Sequence, residues 1–267
     1  MGNKILNLGC GGIYEKSPNW VNLDFTSNSV HVQRANLLSK LAFEEGEFDG
    51  VYSSHFLEHI PYEKVPAFLL ECFRVLKPGG MIRLVLPNFE EMCVEYLRQL
   101  KTGDYEKANF VVIEIIDQCV RQVSGGELGK LYSSLHNDNS KKELKQYICE
   151  RTGADFTVKP VVVGGFSNLK NKYFNKARKY WINFLLSMLP LAFRQQNVTL
   201  TEVGESHKWL WDFYQIKSML EKVGFSGVEM LSHNKTNFPD KTFSNLDINS
   251  EGLPRKGIDS MFIEARK

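Results

Sequence analysis

The stretch Lys4-Ile5-Leu6-Asn7-Leu8-Gly9-Cys10-Gly11-Gly12 decides the fold together with two later pieces, Trp20-Val21-Asn22-Leu23-Asp24 and Phe48-Asp49-Gly50-Val51-Tyr52-Ser53-Ser54-His55. Residues 5–8 read as a short buried strand that runs into glycines. A glycine turn at the end of a parallel strand lets backbone N–H groups come close to a ligand. Residues 20–24 read as a second strand with a carboxylate at its end, where Asp24 is placed to accept hydrogen bonds from ribose hydroxyls. The usual dinucleotide turn is Gly-x-Gly-x-x-Gly opening a full helix. Here Gly9, Gly11 and Gly12 lie closer together, and Pro18 and Asn19 leave little room for a helix. That spacing disfavours a pyrophosphate cofactor and favours a nucleoside cofactor without phosphates.

Residues 30–33 and 48–53 supply a third and a fourth strand. Residues 65–76 carry apolar side chains at helical spacing, and Lys77-Pro78-Gly79-Gly80 stops the helix. Residues 81–86 form an apolar run ended by Pro87 and read as a buried fifth strand. Strands alternating with helical connections imply a parallel α/β sheet. The rhythm breaks over 88–206, where 90–100, 105–123, 141–152 and 175–189 look helical. It resumes with a helix at 214–223 closed by Gly224, then strands at 227–231 and 260–265. The expected organisation is one cofactor domain from 1–87 and 207–267, interrupted after the fifth strand by a helical insertion, 88–206, that caps the acceptor site.

The 267 residues carry a net charge of +2, which leaves no electrostatic footprint for nucleic acid. Five scattered cysteines without a Cys-x-x-Cys pair fit a reducing compartment, and no apolar leader is visible, so a cytoplasmic location is expected. The longest apolar run, 181–193, is interrupted by Asn183, Ser187 and Pro190 and is too short to span a bilayer. Lys170, Lys172, Lys176, Arg178 and Lys179 precede Trp181 and its apolar neighbours, the order of an interfacial helix. A cap over the pocket or a homodimer face explains the same pattern, so peripheral membrane contact through 170–193 stays one of three readings.

The glycine turn, the acidic strand end and the fourth strand are followed in order by Leu57-Glu58-His59-Ile60 and by Glu71-Cys72-Phe73-Arg74-Val75-Leu76-Lys77-Pro78-Gly79-Gly80. This set resembles the class I S-adenosylmethionine-dependent methyltransferases. The resemblance implies a Rossmann-like sheet, mostly parallel with the last strand antiparallel, and S-adenosylmethionine as cofactor. It implies that Gly9 and Gly11 approach the methionine part, with Cys10 beside them. It puts Asp24 on the ribose with Phe25 next to it, and Asn36 and Leu37 at the adenine. Ser53, Ser54 and His55 then end the fourth strand beside the transferred methyl. A later block, Gly204-Glu205-Ser206-His207-Lys208-Trp209-Leu210-Trp211-Asp212, and the ending Gly257-Ile258-Asp259-Ser260-Met261-Phe262-Ile263-Glu264-Ala265 resemble segments of methyltransferases from surface-polysaccharide gene clusters. That implies O-methylation of a sugar or glycan intermediate with a histidine general base.

His207 is the first candidate for that base, with Asp212 orienting it and His55 next in line. Asp212 as a helix N-cap and His207 packed on the tryptophans explain the same residues without chemistry. Trp209 and Trp211 suit either a sugar face or the core. His55-Phe56-Leu57-Glu58-His59 also fits His-x-x-Glu-His, a zinc-peptidase pattern, but it directly follows a strand, and Pro61 disfavours a continued helix. No metal is expected on that reading. Other classes that fit are a methyltransferase-like binding subunit without catalysis, a Rossmann oxidoreductase, and a methyltransferase for a small molecule other than a sugar.

Overall fold

The computed structural model describes residues 2–27, 29–138, 140–156, 180–201, 204–239 and 243–267. Among them, seven strands form one sheet in the order β3-β2-β1-β4-β5-β7-β6. These are β1 (Ile5–Leu8), β2 (Trp20–Asp24), β3 (Val32–Arg34), β4 (Phe48–Ser54), β5 (Leu76–Pro87), β6 (Ser226–Leu231) and β7 (Ser260–Arg266). β1 to β5 run parallel, and β7 lies antiparallel between β5 and β6. This is the α/β architecture expected from the sequence, including the antiparallel final strand.

The two faces of the sheet follow from the period-two alternation of strand side chains. Leu6, Leu8, Val51, Ile82 and Leu84 point to one side and pack with α1 (Val65–Val75) and the helix 213–223. Ile5, Tyr52, Met81, Val85 and Phe262 point to the other and meet Phe238, Phe243 and Leu246. No helix forms between β1 and β2, where residues 9–19 run through turns. The loop before β7 covers that face instead of a crossover helix. It also neutralises Arg83, a fully buried residue of the central strand β5. Arg83 Nε donates to Asp247 at 2.7 Å and its Nη1 to Glu264 at 2.7 Å, while Tyr52 donates to the other Asp247 oxygen at 2.8 Å.

β5 is longer than the expected 81–86 because pairing with β4 begins at Phe48↔Leu76. It then skips to Gly50↔Met81, so Lys77–Gly80 bulges out of the ladder. β3 sits two residues later than expected at its start, since Val30 is solvent-exposed and only Val32 to Arg34 reach β2.

After β5 the chain leaves the sheet as α2 (Phe89–Thr102), α3 (Tyr105–Val120), α4 (Gly126–Asn137) and α5 (Lys142–Thr152). Asn88 caps α2 by accepting from Glu91 N–H, and Asp104 caps α3 by accepting from Lys107 N–H. The four helices carry a core of their own, in which Met92, Phe110, Val111, Leu135, Leu144 and Ile148 are buried together. α4 was not expected, and His136 stands in its last turn. Its leucines and tyrosine at 128, 131, 132 and 135 recur at helical spacing, and that packing outweighs the three nearby glycines.

Residues 180–187 are helical, followed by α6 (Leu191–Asn197), and α7 (Phe213–Val223) returns the chain to β6. Tyr180, Trp181, Phe184, Leu185 and Met188 are exposed. Lys170, Lys172, Lys176, Arg178 and Lys179 lie outside the described residues. No helix among the described residues is long and apolar enough to cross a membrane.

Candidate functional site: a cofactor cleft and a polar cavity joined at two histidines

The carboxyl ends of β1, β2 and β4 converge on one cleft, the place where an open α/β sheet binds ligands. Gly9 and Gly11 turn the chain there with φ of 68° and 53°. A Cβ at Gly9 would stand 2.5 Å from the Phe56 ring, so that position has neither the backbone conformation nor the space for a side chain. Gly9 N–H and Cys10 N–H donate to the Leu23 carbonyl at 2.9 and 3.2 Å, tying the turn to the end of β2. Asp24 completes the tie, with Oδ2 accepting from Gly11 N–H at 2.9 Å and Oδ1 from Thr26 N–H at 2.9 Å. Each carboxylate oxygen keeps a second lone-pair direction for a ligand.

The cleft has a volume of about 520 Å³ and is lined by Gly9, Gly11, Asp24, Phe25, Asn36, Leu37, His55 and Phe56, among others. That is within the usual range of roughly 300–1,000 Å³ for small-molecule sites. Asn36 Oδ1 accepts from Leu38 N–H at 3.1 Å, which leaves its amide N–H groups facing outward. Cys10 and Ser54 line a smaller pocket of about 140 Å³ on the far side of the glycine turn, together with His55 and Lys256. Ser53 has to be removed from the site. It is buried in β4, and its hydroxyl donates to the Leu8 carbonyl at 2.9 Å, a bond that joins two neighbouring strands.

His55 follows β4 at φ 49°, a left-handed conformation that a non-glycine residue adopts at a cost. Its N–H donates to Val85, and its Nε2 lies 3.0 Å from Ser260 Oγ. The strained turn explains why His-x-x-Glu-His is not a helical pair here: only Leu57–His59 form a short 3-10 turn. It also aims Glu58 inward. Glu58 is buried, and neither carboxylate oxygen has a hydrogen-bond partner. His55 Nδ1 is 3.4 Å from Glu58 Oε1, close enough for an ion pair but not aligned as a hydrogen bond.

His207 is brought to this place from far along the chain. Its N–H donates to the Gln118 carbonyl of α3, and Lys208 N–H donates to the Glu58 carbonyl at 2.6 Å. The rings of His59 and His207 then meet edge to face with centroids 4.9 Å apart. Around them opens a second cavity of about 380 Å³, lined by His55, Glu58, His59, Glu114, Gln118, Tyr132, His207, Lys256 and Asp259 among others. It lies between the sheet and α2–α5. His55, His59 and Gly204 line both this cavity and the cofactor cleft.

Burial governs the protonation of the cavity wall. It pushes the Glu58 carboxyl up to about 8 and Asp259 well above the ordinary range, the latter also through the charge of Glu114. Glu114 is raised too, despite the Arg151 guanidinium 2.8 Å away. Burial lowers His55 well below the imidazole range and His207 to about 3, helped there by His59 and Arg121. It also lowers Lys256. Burial lowers His59 as well, so all three imidazoles are biased toward the neutral form.

Asp212 does not orient His207. It is the N-cap of α7, its Oδ1 accepting from Gln215 N–H at 2.8 Å and its Oδ2 from the Gln215 side chain at 3.0 Å. Trp211 is buried and stacks on Tyr62, a core position, whereas Trp209 packs against the same ring but stays exposed. Sequence reasoning overlooked Glu58, Glu114, Lys256 and Asp259 as cavity residues. Glu58 and Asp259 stood inside quoted motifs, but nothing local marks a carboxyl as buried.

Residues 13–84 match the family described as "Methyltransferase domain". That match takes in β2, β3, β4 and most of β5, less than half of the chain. A ubiquinone biosynthesis O-methyltransferase of Dechloromonas aromatica is 28% identical over 138 residues, covering 41% of this chain and 59% of that protein. An uncharacterized protein of Haemophilus influenzae is 45% identical over 74 residues, covering 26% of this chain and 29% of its own. The chain thus spans less than two thirds of the length of either relative. A SAM-dependent methyltransferase structure from Archaeoglobus fulgidus aligns over 99% of this chain and 86% of that one, at 16% identity and a TM-score of 0.41. At that level the likeness carries no argument of its own. Asp24, Asn36 and Leu37 lie inside the matched residues and the glycine turn just before them, and these are the residues available to hold S-adenosylmethionine.

Proposed function

We propose that the protein transfers the methyl group of S-adenosylmethionine to a hydroxyl of a polar acceptor, most simply a sugar or glycan intermediate. One observation carries this reading: the cofactor cleft and the polar cavity adjoin at His55 and His59. A cofactor with its ribose on Asp24 and its methionine at the glycine turn directs its sulfonium methyl toward that junction. An acceptor in the second cavity meets the methyl there. The donor is already activated, so the protein's main task is alignment of oxygen, carbon and sulfur, and exclusion of water.

A sugar suits the cavity because its wall offers hydroxyl partners of both kinds: Tyr132, Thr152 and Gln118, and the carboxyls of Glu114 and Asp259. The departing hydroxyl proton needs an acceptor at the junction, and of the two histidines that face both spaces we assign that role to His55, since the His59 Nδ1 is taken up by the Ser206 carbonyl. His207 lines only the second cavity and does not reach the cofactor cleft. The O-methyltransferase named above favours a second reading, a small hydroxylated acceptor that is not a sugar. The exposed aromatic and aliphatic residues of 180–193 suit contact with a membrane surface bearing a lipid-linked acceptor.

The test is turnover. Purified protein with S-adenosylmethionine and panels of nucleotide sugars, lipid-linked saccharides and phenols is assayed for S-adenosylhomocysteine by mass spectrometry. Acceptor-dependent product with saccharides supports the reading. Product only with phenols moves it to the second. Binding of S-adenosylhomocysteine without turnover on any acceptor points to the non-catalytic subunit.

A further inference from the structure

We propose that Glu58, His59 and His207 hold one divalent transition-metal ion on the wall between the cofactor cleft and the acceptor cavity. Each of the three offers one ligand atom, and these atoms lie within 4.8 Å of one another. Bonds from zinc-like ions to imidazole nitrogen and carboxylate oxygen are ~2.0–2.2 Å, so shifts of about an ångström bring all three onto one ion. Two imidazoles and one carboxylate are a donor set for zinc, iron, cobalt or manganese rather than calcium or magnesium.

Three independent features of the surroundings point to a ligand. Both oxygens of the buried Glu58 lack a hydrogen-bond partner, although Lys256 lines the same cavity. His207 Nδ1 is also buried and unpartnered. Orphaned buried polar atoms are rare in native proteins and call for a specific explanation, of which a bound ion is one. His59 shows the third feature. Its Nδ1 lies 3.0 Å from the Ser206 carbonyl, which can only accept, so Nδ1 carries the proton and Nε2 is left with a free lone pair. Nε2 is the atom on the Glu58 side, 4.0 Å from Oε1. A backbone carbonyl that fixes the tautomer in this way is the habitual support of a metal-bound histidine.

The helical zinc-peptidase pairing of His55 with His59 is not what forms. His55 stays beside Glu58 with its Nε2 on Ser260 Oγ and is not one of the three gathered donors, and His207 joins His59 from a distant segment. The protein supplies three ligands, which leaves the ion at least one open position, on the cavity side. For the role of the ion this inference rests on the methyl-transfer reading. A bound acceptor hydroxyl becomes more acidic, and its proton passes to His55. As the new O–CH3 bond forms, the S–CH3 bond breaks, and sulfur keeps the bonding pair as a neutral thioether. An acceptor with two neighbouring oxygens fits such an ion best.

The test reads the ion directly. The full chain is titrated with Co²⁺, followed by its visible absorption, then with Zn²⁺ in competition, while S-adenosylhomocysteine binding is followed by calorimetry. One equivalent of Co²⁺, displaced by Zn²⁺, is expected. Glu58→Gln and His207→Asn should each weaken it about tenfold or more, with S-adenosylhomocysteine affinity unchanged within about twofold. If either variant fails to fold, His59→Gln gives the same metal readout. No stoichiometric binding by the wild type, or equal binding by folded variants, overturns the site. S-adenosylhomocysteine binding without metal leaves methyl transfer standing and removes the ion. Metal binding without S-adenosylhomocysteine binding does the reverse.

Discussion

Asp24→Ala is the sharpest perturbation of the cofactor reading. In the free protein Asp24 accepts from Gly11 N–H and Thr26 N–H, each at 2.9 Å. Both N–H groups are near solvent, so water replaces the lost bonds, and the cost to folding is about 0.5–1.5 kcal/mol for each. The cost to binding is separate. A ribose hydroxyl that donates to a carboxylate contributes about 1.5–3 kcal/mol, and loosening of the Gly9–Gly11 turn adds to that. S-adenosylhomocysteine affinity should fall roughly 10- to 200-fold, at 1.4 kcal/mol per decade. Calorimetry at 25 °C measures it, with urea unfolding in parallel to show that the variant is folded. A cycle sharpens the assignment: the wild type should discriminate strongly against the 2′,3′-dideoxy analogue, and Asp24→Ala should hardly discriminate. Affinity within twofold of wild type in a folded variant, or undiminished discrimination, would refute the placement of ribose on Asp24.

Gly9→Ala combines a left-handed φ, costing about 1–2 kcal/mol, with a Cβ at 2.5 Å from Phe56, and overpacking costs about 1–3 kcal/mol more. Stability in urea and cofactor affinity should fall together; an unaffected variant means the turn relaxes freely. Arg83→Met leaves Asp247 and Glu264 buried without their cation and should cost about 3–5 kcal/mol in urea. Adding Asp247→Asn and Glu264→Gln should recover part of it, and a loss below about 1 kcal/mol would show that the trio is not electrostatically coupled. Burial works to raise the Glu95 carboxyl, but hydrogen bonds from Arg98, Gln99 and Tyr147 outweigh it and lower it from 4.5 to about 2. A lowered carboxyl adds stability that is complete above its unfolded value and is lost as pH falls toward its folded one. Unfolding followed from pH 5 to pH 2 should therefore be less steep in Glu95→Gln than in wild type, and parallel curves would exclude Glu95 as a source of the acid limb.

The sequence by itself determined the sheet. β1, β2 and β5 announce themselves locally, through an apolar run ended by Gly9, Asp24 or Pro87. Backbone conformation at a glycine turn and face alternation along a strand depend on near neighbours, so they survive without knowledge of the rest. The cofactor cleft was legible for the same reason, since Gly9, Gly11, Asp24, Asn36 and Leu37 all stand at or just beyond strand ends. Ser53 was misplaced because one step along a strand moves a side chain to the opposite face.

The second cavity was decided only by tertiary structure. His207 meets His59 because Lys208 and His207 hydrogen-bond to backbone carbonyls of Glu58 and Gln118, contacts between segments far apart in the chain. Asp212 carries the same sequence signature whether it caps a helix or orients a base, and its bonds to Gln215 settle that it caps. The orphaned oxygens of Glu58 and the raised carboxyls of Glu114 and Asp259 follow from burial between the sheet and α2–α5. Burial and charge coupling belong to the packed molecule, and no residue carries them alone.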